Sequence, residues 1–442
     1  MRARNPEVGG SNPLTRIYFS GKMKKIFIKT YGCSFNQADS ENMAGLLVKS
    51  QRYRLVDSEG DADVVIINSC TVKNKAENKF WRDLKNIKKT KILAGCVPQA
   101  ERDKSKFERF SVIGSNQINS VVEVVDETLS GNTVQLFKKE STGRLNIPKV
   151  RKNSIVEIVP INEGCLGSCN FCATKFSRGH LVSYQPEEIV SHIRNALNDG
   201  AKEIWLTSQD TACYGYDIGT TIVALLKKIF EMKRGFKVRL GMGNPDFLPD
   251  YLDELIEVFK DKRMFKFLHI PLQAGSDNVL KKMKRNYTAE TFVKIIEKFR
   301  AVHPDITIAT DIIVGYPGET REDFLETLRI LEKTRPDVMN ISRFWARPGT
   351  VAAKKKQLPT LEIKNRSIEL TKLYHRIARE NNRKWIGWRG EIIIDEQGKE
   401  GSLVGRNYAY KPVIVEGHFN IGEEIEVDVK KVTSFDLRAQ VI

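Results

Sequence analysis

Residues 155–172 read IVEIVPINEGCLGSCNFC. An apolar strand over 155–160 runs into a loop that carries Cys165-x-x-x-Cys169-x-x-Cys172. Three thiolates at that spacing can hold three irons of a cubane 4Fe–4S cluster and leave the fourth iron without a protein ligand. An iron with an open position binds a small molecule, which makes such a cluster a reagent as well as an electron store. Zinc is the competing reading. Structural zinc wants four closed ligands, and no His or fourth Cys stands nearby; His180 lies in a basic stretch and reads as solvated or substrate-facing.

The chain around this loop alternates strand and helix. Strands are predicted near 155–160, 203–208, 237–243, 267–272, 306–314 and 338–345, with helices such as PEEIVSHIRNALNDG and REDFLETLRILEKT between them. Six consecutive βα units imply a parallel, barrel-like sheet, open where a full eight-unit barrel would close, with the chemistry on the loops at the strand C-termini. That edge holds the cysteine loop, TSQDTACYGYDIG, GMGNPDF, PLQAGSDN and VGYPGET. Glycines there let backbone groups approach a polar ligand, or serve only as tight turns. Cys213, with no partner at ligand spacing, reads as a packed thiol.

Towards the N-terminus the pattern is also α/β. KKIFIKT, ADVVIINSC and KILAGC read as strands, and ADSENMAGLLVKS and KAENKFWRDLKNI as helices, the first with an acidic, Ser-containing first turn. Cys33, Cys70 and Cys96 each stand at or just past the end of one strand. In an open parallel sheet those ends share one edge, the edge where such folds bind ligands, so the three converge by topology and form a second candidate cluster site. Three buried structural thiols are the plainer alternative. Residues 1–22 lack periodicity, and GGSNP is what a tRNA T-arm would encode. Translation is therefore expected to begin at Met23, with 1–22 a spurious extension. A basic linker with Pro148 over 137–150 separates the N-terminal domain (23–136) from the barrel domain (151–383).

Past a Lys/Arg-studded helix at 360–384, EIIIDE, SLVGR, KPVIVE, EEIEVDVK and LRAQVI predict a small β-barrel of OB-like size over 384–442. Trp385 and Trp388, beside Lys384 and Arg389, suit stacking on RNA bases and contact to phosphate, or else form an aromatic core. Lys+Arg outnumber Asp+Glu by 72 to 55 in 442 residues, a formal charge of +17 that points to a polyanionic partner. No apolar stretch is long enough to span a membrane, no secretory signal is present, and unpaired thiol triplets suit a reducing compartment.

The motifs TYGCSFNQADSE, INSCTV, LAGCVPQ, EGCLGSCNFCATKFSRG, HIPLQAGSDNVLKKMKRNYT, TDIIVGYPGET and RPGTVAA together resemble the methylthiotransferases of the radical S-adenosylmethionine (SAM) superfamily. The C-terminal part is similar to the RNA-binding TRAM domain. GCLGSCNFCATKFSRGHL and LTSQDTACYGYDIGT most resemble the archaeal and eukaryotic branch that acts on N6-threonylcarbamoyladenosine at tRNA position 37. The QDT…YG portion also echoes the branch that modifies a ribosomal-protein aspartate, and a third branch acts on isopentenyladenosine. A cluster-containing RNA-binding regulator without turnover is the reading from another class.

The resemblance implies a cytoplasmic enzyme acting on tRNA and not DNA, with two SAM molecules, two 4Fe–4S clusters and a ferredoxin- or flavodoxin-like one-electron donor protein. SAM at the Cys165/Cys169/Cys172 cluster yields a radical that takes hydrogen from adenine C2. The Cys33/Cys70/Cys96 cluster holds the sulfur, and a second SAM supplies the methyl group. Gln209, Asp210, Gln273 and Ser276 are candidate SAM contacts. Arg178 or Arg347 is a candidate partner for the carboxylate of the modified base.

Overall fold

The computed structural model describes residues 23–71, 74–138 and 143–442; the expectation for residues 1–22 lies outside them. Strands β1 (Lys24–Thr30), β2 (Tyr53–Leu55), β3 (Val64–Ser69), β4 (Thr90–Gly95), β5 (Ser111–Gly114) and β6 (Gln135–Leu136) form one parallel sheet. Their order is β2-β1-β3-β4-β5-β6. The apolar run VVIINS makes β3 a central strand buried on both faces, as parallel sheets require. Val64 and Ile66 pack on one side with Met43, Leu47 and Val124. Val65 and Ile67 pack on the other with Phe80 and Phe107. Period-two alternation thus feeds two half-cores, under helices α1 (Ser34–Lys49) and α4 (Val121–Leu129) on one face and α2 (Asn74–Asn86) on the other. Helix α1 starts at Ser34, several residues before the acidic turn expected to open it, with Cys33 at its N-cap and no acidic residue in its first turn. A short helix α3 (Cys96–Ala100) follows β4 directly.

The segment expected to be a linker is, where described, a packed strap. Arg144 is 1% exposed. Val150 N–H donates to Glu41 O at 3.0 Å, and a Cβ at Gly45 would fall on the backbone of Pro148 and Lys149.

After it come β7 (Val156–Pro160), the short ribbon β8 (Asn162–Glu163) and β9 (Val182–Ser183) flanking helix α5 (Thr174–Arg178), then β10 (Glu203–Thr207), β11 (Lys237–Leu240), β12 (Phe267–His269), β13 (Thr307–Val314) and β14 (Val338–Arg343). The six long strands form two parallel three-stranded sheets, β7-β10-β11 and β12-β13-β14. Val238 joins them through backbone bonds to Arg263 O (2.8 Å) and Phe265 N (3.0 Å). The result is the open barrel expected, its strand residues Val159, Ile204, Leu206, Ile270, Ile308 and Ile312 packed against the surrounding helices.

Strands β15 (Arg389–Gln397), β16 (Leu403–Arg406), β17 (Pro412–Val415), β18 (Glu424–Val432) and β19 (Leu437–Val441) close a barrel in the order β15-β16-β17-β19-β18. It docks where the large barrel's strands begin. Lys266 N–H donates to Tyr408 O (2.8 Å), Lys411 Nζ pairs with Asp337 (2.8 Å), and Lys202 Nζ reaches Gly422 O (2.6 Å). Among the described residues no helix is long and apolar enough to cross a membrane.

Candidate active site

All three N-terminal cysteines stand at the ends of adjacent parallel strands. Cys33 follows β1, Cys70 follows β3, and Cys96 follows β4 as the first residue of α3. Close backbone approach brings them together. Gly95 has φ +87°, and a Cβ there would fall on Asn68 Oδ1 and 2.6 Å from Ser69 O. Asn36 lies between two of the thiols, its Oδ1 accepting from Cys33 Sγ (3.4 Å) and weakly from Cys96 Sγ (3.9 Å). Its Nδ2 is tied to Asn68 Oδ1 (3.2 Å) and Ser69 O (2.9 Å). Hydrogen bonding with Cys70, then the Asn36 backbone N–H and the Arg178 charge, holds the Cys33 thiol down at about 6.

The second triplet is local in sequence, and its loop is held both by its own backbone and by residues of later loops. Gly164 (φ +69°) passes so close to His180 that a Cβ would fall on its carbonyl; its N–H donates to Gln209 Oε1 (2.7 Å). Gly167 N–H donates to Cys165 Sγ (3.1 Å), and Arg285 Nη1 donates to Cys169 Sγ (3.0 Å). Burial pushes the Cys169 thiol up and Arg285 opposes it. The loop is pinned at Asn170, whose N–H and Nδ2 donate to Met283 O (3.0 Å) and Lys282 O (2.8 Å). His180 is exposed, as expected of a solvated side chain.

Cys213 is buried, but its expected isolation is not what the fold delivers. Its sulfur, Cys165 Sγ and an Asp210 oxygen lie within 4.8 Å of one another. Strands β7 and β10 are neighbours, so the loops after them share an edge. Asp210 is buried too, its Oδ1 accepting from Asn244 N (2.9 Å) and Ala212 N (3.1 Å), with burial pushing its carboxyl up to about 6. Ser276 is buried and donates to Asp323 (2.6 Å). Both brace loops of this edge from inside, Asp210 within reach of Cys165. Gln209 and Gln273 remain part-exposed at this edge, Gln273 in the left-handed region at φ 64°. Sequence reasoning passed over Asn36, Asp39, Arg144 and Arg285. Arg285 lies inside KKMKRNYT, but 116 residues separate it from Cys169, so nothing in the sequence marked it as a partner of the cysteine loop.

None of the seven cysteines is in a disulfide. Each triplet offers three soft donors at one strand edge, which is the donor set a cluster with one open iron takes. The residues present therefore fit such a group at both places.

The chain matches the Radical SAM superfamily over residues 159–331. It matches the uncharacterized protein family UPF0004 over 25–113 and the TRAM domain over 384–442. It is 40% identical over 426 residues to the probable threonylcarbamoyladenosine tRNA methylthiotransferase of Pyrococcus abyssi, covering 95% of this chain and all of that one. It is 41% identical over 420 residues to the threonylcarbamoyladenosine tRNA methylthiotransferase of Homo sapiens, covering 92% of this chain and 72% of that one. The chain belongs to this methylthiotransferase family. A likeness of fold extends to the radical S-adenosylmethionine methyltransferase TsrM of Kitasatospora setae, with a TM-score of 0.52 at 10% identity over 72% of this chain and 73% of that one. A radical SAM domain brings with it SAM and one 4Fe–4S cluster.

Against this methylthiotransferase frame, most residues expected to meet RNA turn inward. Arg178 is 3% exposed and paired with Asp39 at 2.7 Å. Arg347 is buried and bonded to Glu77 of α2. Trp385 is 2% exposed inside the small barrel, with Trp388 edge-on to it at 5.7 Å, so its faces are closed to a base. Trp385 belongs to the aromatic core expected as the alternative, and Trp388 packs part-exposed against it. Arg389 is exposed, beside Asp428 (2.8 Å).

Proposed function

We propose that the chain methylthiolates C2 of N6-threonylcarbamoyladenosine at position 37 of tRNA. Cys165, Cys169 and Cys172 would hold the radical SAM cluster, and Cys33, Cys70 and Cys96 a second one. The observation that carries the reading is the packing of α3, which Cys96 opens, on α5, which follows the cysteine loop. That contact sets two thiol triplets at one interface. When bound, SAM and a cluster supply one-electron chemistry able to take hydrogen from an unactivated carbon, and SAM also supplies a methyl group.

The chain's own residues hold and orient. Arg285 donates to one cluster-facing sulfur, Asn36 separates two others, and Gly164 and Gly95 permit close backbone approach. Gln209 and Gln273 would meet SAM. The substrate base must leave its loop stack for C2 to meet both triplets, which favours an anticodon-loop nucleotide over a duplex one. In this reading 23–136 is the sulfur-handling domain, 137–150 the strap, 151–383 the radical domain and 384–442 the RNA-binding domain. The protein works in the cytoplasm with a ferredoxin- or flavodoxin-like donor. The likeness to relatives named for threonylcarbamoyladenosine tRNA supports this substrate over the isopentenyl and ribosomal-protein alternatives.

The test is a reconstituted assay on unmodified, isopentenylated and threonylcarbamoylated tRNA. Product on the threonylcarbamoylated tRNA alone is expected. Product on the isopentenylated tRNA, or on a ribosomal protein only, would overturn the substrate.

A further inference from the structure

We propose that Arg178 is a positioning residue of the reaction: its buried guanidinium, locked on Asp39, fixes the Cys33/Cys70/Cys96 site against the radical SAM loop and sets the charge that site feels. The proposal rests on the two-cluster reading above.

Arg178 closes α5, six residues beyond Cys172, yet its partners belong to the N-terminal domain. Its Nη2 pairs with Asp39 Oδ2 at 2.7 Å, and its Cζ lies 4.5 Å from the centre of the Phe35 ring. Phe35 and Asp39 both lie on the α1 turns that Cys33 caps. Nearby, Ser115 Oγ donates to Ser177 O. Arg144 from the strap takes the other Asp39 oxygen at 2.7 Å and also pairs with Glu163, just before the cysteine loop. Three segments of the chain thus meet on one carboxylate.

Two guanidiniums face two carboxylates here, so the network is neutral by itself. The thiolates of a cluster would add negative charge beside it. Arg178 acts electrostatically on both Cys33 and Cys96, whereas the charges acting most on Arg144 are those of Asp39, Glu163 and Arg178. An arginine does not lose its proton in a protein, so the positive charge beside the cysteines is permanent. Such a charge favours the more negative, reduced form of whatever the three sulfurs hold.

The test uses the full chain with Cys165, Cys169 and Cys172 replaced by Ala, which leaves the N-terminal site alone to bind iron. That background must first hold a cluster; if it holds none, the two-cluster reading fails, separately from the role of Arg178. In it, Arg178→Gln should move the midpoint potential to more negative values by EPR-monitored titration. Arg178→Lys and Arg144→Gln should leave it near the parent value. In the otherwise native chain, Arg178→Gln should lower methylthio product per SAM cleaved by about tenfold, and Arg178→Lys should recover part of it. If Arg178→Gln loses iron and Arg178→Lys restores it, the charge role is supported. An unmoved potential in Arg178→Gln, or equal shifts or iron loss in all three variants, would assign the residue to packing alone and overturn the proposal.

Discussion

Cys165, Cys169 and Cys172 sit on one loop, whereas Cys33, Cys70 and Cys96 come from the ends of three strands. The loop triplet is gathered by sequence spacing; of its contacts only the Gly167 donor is local, while Arg285 and Gln209 steady the loop from 116 and 45 residues away. The strand triplet depends on the register of β1, β3 and β4, with Ile28 opposite Ile66 and Ile66 opposite Ile92. A triplet gathered by spacing stays together whatever the register of the N-terminal sheet, while one gathered by topology is as firm as the sheet beneath it. The contrast predicts that the two sites fail separately.

The sharpest break is at the ligands. Cys165→Ala should abolish reductive SAM cleavage, while Cys70→Ala should leave cleavage measurable and prevent methylthio product. Equal loss of cleavage in both would erase the division of labour. Glycine substitutions give the next effect. Gly95→Ala, strained at positive φ and crowded against Asn68, should cost roughly 1–3 kcal/mol in urea denaturation and leave about four of eight irons bound. Gly164→Ala should instead remove the irons of the loop site.

A pH effect of similar or smaller size comes from Glu157 on β7. Burial alone would raise its carboxyl, but His192 and Lys149 outweigh that and hold it at about 2. Because the folded value lies below the unfolded one, this stabilisation is complete above about pH 4.5 and is lost as pH falls towards 2. Glu157→Gln should flatten acid denaturation across that window, and a profile unchanged from the parent would remove Glu157 as an anchor of the loop strand. The smallest effect is expected at Arg389. Arg389→Ala should weaken tRNA binding by about 1 kcal/mol or less and reduce the salt slope by about one. An unchanged slope would take Arg389 out of the RNA-facing surface.

The six barrel strands and the five of the small barrel were legible because short apolar runs bounded by Gly and charge have few other uses. The short strands Tyr53–Leu55, Ser111–Gly114 and Gln135–Leu136 were not, since they depend on pairing with longer neighbours. The cysteines of both triplets were legible from spacing and from strand ends. The burial of Arg178 and Trp385 was not legible for one shared reason: a cation or an indole near a basic stretch looks solvent-facing until its partner is known. For Arg178 that partner, Asp39, is 139 residues away, and for Trp385 it is a barrel core assembled from five strands. Cys213 was placed alone because neighbouring strands, not neighbouring residues, bring it to Cys165.

The central claim is that both triplets are needed for one product on one nucleoside. Nucleoside mass spectrometry of tRNA from cells lacking the gene, complemented with wild type, Cys70→Ala or Cys165→Ala, tests it most directly. The account predicts 2-methylthio-N6-threonylcarbamoyladenosine with wild type only, and accumulation of N6-threonylcarbamoyladenosine in the other three. The methylthio nucleoside in cells carrying Cys70→Ala, or in cells without the gene, would contradict it.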